Sequence, residues 1–168
     1  MSAKNLPARY SLAQVMVYRR KWEQALAELD SIPGGKGGVG DTIIRAQVLA
    51  GKKQFDQALA LMDRLSENER RIPPVAMARA EMAAEQNDAK CVAHNVVIAA
   101  AQPSPAMLRR VRALFPFLAA KEEWKAIIAC DQPLAYSDPS HAAIAVDAYF
   151  RMNDILGMTR TLHLVVKT

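Results

Sequence analysis

The chain has 168 residues, 51% of them hydrophobic and 23% charged, with a formal net charge of +5. This is an ordinary globular composition, long enough to bury a core, and aromatics at only 6% with plentiful alanine favour close-packed helices over sheets. The modest positive balance permits an acidic partner but does not call for nucleic acid.

The first helix is expected to start after Pro7, because proline suits a first helical turn, and to run to about Tyr18. Its partner spans Trp22 to Ser31 and stops at Ile32-Pro33. PGGKGGVGDT follows, with five of the seven glycines. KGGVGDT resembles the deviant phosphate-binding loop of ParA/MinD-type ATPases, K-G-G-x-G-K-[ST], at Lys36, Gly37, Gly38, Val39, Gly40 and Thr42. Asp41 stands where that loop has its phosphate-contacting lysine, and a carboxylate there repels phosphate. The segment also follows a helix rather than a buried strand. It therefore reads as a connector over residues 33–41, with Asp41 or Thr42 as the cap of the next helix. Two amphipathic helices then meet at a polar break, GKKQ. Ala46 and Ala58 sit where helices cross closely, and Phe55, Leu59, Met62 and Leu65 recur at helical spacing. Pro73-Pro74 opens a small-residue helix, VAMARAEMAAE, which turns at Asn87-Asp88 into a partner from Ala89 to about Ala101. Gln102-Pro103 breaks it, Ser104 caps, and Pro105 starts the next helix. Pro116 lies inside that helix and should kink or end it. Asp131-Gln132-Pro133 closes this unit. After LAYSDPS, with Ser137, Asp138 or Ser140 as cap, a last pair of helices ends in the apolar LHLVVKT.

Trp22, Phe55, Ala89, Trp124 and Ile155 open the second helix of each pair, at spacings of 33, 34, 35 and 31 residues. A period near 34 is the mark of a stacked helical hairpin, because no single hairpin buries its own apolar face. The pattern resembles the tetratricopeptide repeat across almost the whole chain. The resemblance implies an all-α fold: five helix-turn-helix hairpins over residues 6–33, 41–72, 74–102, 105–133 and 138–168, forming a single right-handed superhelical solenoid. The small residue expected early in each first helix falls at Ala13, Ala46, Ala80, Phe115 and Val146. The fourth and fifth units are therefore expected to pack differently.

Side chains that carry chemistry are scattered. Cys91 and Cys130 have no disulfide or zinc spacing. Cys91 and His94 share a helix face but lack two further ligands. No serine or cysteine has a nucleophile context, and the basic doublets lie at turns without interleaved aromatics. The expectation is a chain that is not an enzyme, with no metal, no cofactor and no nucleic-acid partner. No run reaches the roughly 20 apolar residues of a membrane span, and MSAKNLPARY lacks a signal-like apolar stretch, so the expected location is the cytoplasm.

In tetratricopeptide arrays the first helices line a concave groove that holds peptides or helices. Carried over by register, the resemblance implies a partner-binding groove formed by Tyr10, Gln14, Val17, Ile43, Gln47, Met77, Glu81, Arg109, Arg112, Asp147 and Phe150. The expected function is a non-catalytic scaffold, adaptor or chaperone-like protein that takes a partner's peptide or amphipathic helix. Two alternatives stand beside it. One is self-association through the terminal helices, with a possible homo-oligomer through the C-terminal helix. The other is the repeat region of a larger enzyme.

Overall fold

The computed structural model describes residues 6–32, 38–101, 104–131 and 139–166, all but the side chains of residues 6, 139 and 164–166. Part of the glycine-rich segment, with Lys36 and Gly37, lies outside the described residues, as do the candidate caps Ser137 and Asp138. The described residues form α-helices and no strand. They divide into two compact units, Met1–Arg71 and Ile72–Thr168.

In the first unit, α1 (Leu6–Tyr18) pairs with α2 (Trp22–Asp30), and α3 (Val39–Gly51) pairs with α4 (Phe55–Asp63). A short helix, α5 (Glu67–Arg70), follows behind a capping box in which Ser66 and Glu69 satisfy each other's backbone N–H groups. The α3 helix lies across both α1 and α2. Ala13, Val17, Ala25 and Leu29 from the first pair bury themselves with Ile44 and Val48 of α3. Alanine at the crossing points lets the helices approach closely, so that Leu29, worth about 1.5–3 kcal/mol when fully buried, is wholly covered. Trp22 lies against the last residue of α3. A Cβ on Gly51 would stand 2.4 Å from its ring, so only glycine fits there without displacing the indole.

The expected cap of α3 needs correction. The helix begins at Val39 behind Gly38, and Asp41 lies inside its first turn, beside the exposed N–H groups that favour an acid.

In the second unit, α6 (Pro73–Glu85) and α7 (Ala89–Ala100) pack along their length. The alanine-rich α6 is buried on most of its circumference. The Asp88 and Ser104 side chains cap α7 and α8 (Pro105–Ala113) by accepting from Cys91 N and Met107 N. The α8 helix stops at Leu114, and α9 (Phe115–Ala120) restarts with Pro116 in its first turn, where a missing N–H is harmless. Then come α10 (Trp124–Cys130), α11 (Pro139–Arg151) and α12 (Ile155–Val166). Val92, Val96, Phe115, Leu118, Ile127 and Ala145 belong to the core of this unit.

One turn recurs throughout. Arg20, Lys53, Asn87, Glu122 and Asn153 all have positive φ, at spacings of 33, 34, 35 and 31 residues. At each, the N–H of the next residue reaches back to the carbonyl of Met16, Leu49, Ala83, Leu118 or Tyr149. The positive-φ residue itself donates to Val17, Ala50, Ala84, Ala119 or Phe150. This is the Schellman ending, five times among the described residues and never on glycine. The period seen in the side chains is thus present in the backbone, and these turns supply a register for comparing hairpins.

Candidate protein-binding surface

Seven residues before each turn lie Ala13, Ala46, Ala80, Phe115 and Val146. The first four are fully buried, and only Val146 is half-exposed. The expected groove residues follow the same register, and many of them meet neighbouring helices. Gln14 Nε2 donates to Gln47 Oε1 at 2.9 Å, joining α1 to α3. Both oxygens of Glu81 accept from Arg110 of α8, at 2.9 and 2.7 Å. Val17 and Met77 are core residues, while Ile43 is half-buried. The Tyr10 ring lies beside Gly40.

Arg112 is buried as well. Burial lowers its pKa, and the neighbouring Asp131 carboxylate offsets part of that fall. Arg109 is exposed. Apart from the Gln14–Gln47 contact, the structure does not gather these residues into one cluster; it distributes them along the helix-to-helix packing of each unit.

Asp147 and Phe150 differ. They line an apolar groove of about 530 Å³ with Ala142, Ala143, Val146, Met158 and Leu162. A smaller depression of about 270 Å³ continues past Phe150 to Asn153, Asp154 and Ile155. Phe150 is 70% exposed and Leu162 46%; Met152, Ile155 and Leu156 are exposed beside them. Exposed apolar surface gathered on a hairpin in this way makes it a candidate binding face. Asp147 takes an ion pair from Arg151 at 2.9 Å, and the same guanidinium lies 4.6 Å above the Trp124 ring.

A polar node fastens the last hairpin to α10. Thr161 Oγ1 donates to Asp131 Oδ2 at 2.9 Å, and Arg160 donates to the Tyr149 hydroxyl at 2.9 Å. Burial, reinforced by Asp131 and opposed by Arg160, pushes the Tyr149 hydroxyl up to about 12. Burial, with Asp131 next to it, likewise pushes the Cys130 thiol up to about 12, so this sulfur stays protonated and a poor nucleophile. The node was not anticipated from sequence. Its one signal is the 30-residue offset between Asp131 and Thr161, close to the repeat period.

Asp41 is committed elsewhere. Both of its oxygens accept from Arg45 Nε, at 2.9 and 3.0 Å, and Arg45 reaches Asp30 of α2 at 2.7 Å. Burial works against the Arg45 charge, but the hydrogen bond to Asp30 and the field of Asp41 outweigh it and raise its pKa. The position where a phosphate loop has lysine is therefore a carboxylate held in an α2–α3 ion network. Among the described residues no group of three His, Cys, Asp or Glu side chains is placed to hold a metal ion. No described helix is long and apolar enough to cross a membrane.

The chain matches no protein-family model, no curated protein and no solved structure.

Proposed function

We propose that this chain is a non-catalytic scaffold of helical hairpins, arranged as a tetratricopeptide-like right-handed superhelix, that binds an amphipathic helix on the open face of α11 and α12. The observation that carries this reading is the burial contrast at equivalent positions. Val17 and Leu29 of the first hairpin are covered by α3, whereas Phe150 and Leu162, at the same places in the last, line an open groove. A helix with an apolar stripe is what covers this surface elsewhere in the molecule. Each square ångström of apolar area removed from water there contributes about 25 cal/mol before the ordering costs of association. The five matching turns support the repeat architecture.

Selection of displayed helical peptides against the immobilised chain tests the reading. Enriched peptides are expected to carry apolar residues at i, i+3 or i+4 and i+7, and to lose binding to Phe150→Asp and Leu162→Asp variants. Failure to select any helix, or binding indifferent to both substitutions, would sink it.

A further inference from the structure

The apolar groove names its own occupant when both sides of a hairpin-to-hairpin contact are compared; this step rests on the reading of that groove as a helix-binding face. On the receiving side, α1 and α2 offer Ala13, Val17, Ala25 and Leu29, all buried beneath α3. Counting from the turn residues Arg20 and Asn153, the same places in the last hairpin are Val146, Phe150, Met158 and Leu162, the lining of the open groove.

On the inserting side, α3 lays Ile44 and Val48 onto the first hairpin. In the second unit, α11 lays Ala145 and Ala148 into the core it shares with α9 and α10. The equivalent places on α1 are Ser11, Leu12 and Val15. Val15 corresponds to both Val48 and Ala148, each buried, yet it is 46% exposed, and Leu12 is 44% exposed. Tyr18, at the place of Gly51, is exposed as well. Among the described residues, the first hairpin therefore has an uncovered inserting face and the last hairpin an uncovered receiving face.

We infer that these are two halves of one interface: α1 of one copy packs into the α11–α12 groove of a second copy, head to tail. Charge agrees with this pairing. The charged groups lining the two depressions are the acids Asp147, already ion-paired with Arg151, and Asp154. The α1 helix carries no carboxylate, and Arg19, Arg20 and Lys21 follow it directly. A head-to-tail contact leaves a free face at each end, so it propagates into longer chains unless a ring closes.

Sedimentation velocity on the full chain, from low to high micromolar concentration, tests this. Wild type is expected to rise from the 18.5 kDa of one chain to two or more. Val15→Asp blocks insertion and Phe150→Asp blocks reception, so each variant alone stays at one chain. Mixed, they form a one-to-one pair that grows no further, because each supplies the face that the other lacks. Both positions are exposed, and thermal melts confirm that the variants fold; Tyr18→Asp and Leu162→Asp give an independent second pair. A wild type that remains a single chain throughout overturns the inference, even if selected helices still bind the groove. A Val15→Asp variant that keeps associating while Phe150→Asp does not also overturns it, since that pattern means groove against groove.

Discussion

The first and last hairpins share a turn, a register and a 13-residue first helix, and differ in what covers them. In α1–α2 the positions facing α3 are alanine, valine and leucine, closed from water. In α11–α12 the same positions hold Val146, Phe150, Met158 and Leu162, larger in total and open. The difference teaches that burial in this chain is a property of the neighbour, not of the hairpin. A bulky residue at an interface position is closed from water where a helix packs on it and stays open where, among the described residues, none does.

The largest expected effect breaks that contrast directly. Leu29→Ala empties a fully covered site and should cost about 2–5 kcal/mol in urea unfolding. Leu162→Ala, at the equivalent place, should cost about 0.5 kcal/mol or less in dilute solution, where its face is open. Equal losses would mean that the last hairpin is as covered as the first.

The next effect sharpens the contrast on the inner side of the last hairpin, where Tyr149 takes the place of Met16. The folded chain keeps Tyr149 and Cys130 protonated up to about 12, against ordinary values of 10.0 and 9.0. Between these limits the unfolded chain has released protons that the folded chain still holds. Stability should therefore be intact below about pH 9 and decline as pH rises toward 12. Urea midpoints measured across that range should fall for wild type. They should fall less steeply for Tyr149→Phe, although that variant starts lower for want of the Arg160 hydrogen bond.

The smallest effect concerns what the two hairpins share. Arg20 holds a positive φ that disfavours a side chain, so Arg20→Gly should raise stability by about 0.5–1 kcal/mol. Asn153→Gly should gain less, because asparagine tolerates that conformation. Thermal unfolding of both variants would reverse this ordering if the two turns were not equivalent.

Much of the local architecture was legible in the residues. Trp22, Phe55, Ala89, Trp124 and Ile155 each open a helix two residues after a positive-φ turn, and Pro116 falls where α8 gives way to α9. The Asp41–Arg45 pair was legible too, since an acid four residues before an arginine on a helix faces it, although the sequence pattern by itself makes Asp41 a cap rather than an ion-pair partner. The candidate site was legible only in part. Register placed Gln14, Gln47, Glu81 and Asp147 at equivalent positions, and Phe150 at that of Val17, yet periodicity states which face a residue occupies, not whether another helix lies on it.

Turns, caps and helical periods arise from residues within a few positions of one another, so they are written locally. The covering of Val17 by α3, the exposure of Phe150, and the meeting of Asp131 with Thr161 depend on segments about 30 residues apart coming together. Contacts across that distance are decided when whole hairpins pack, because only the packed chain determines which apolar faces find a neighbour.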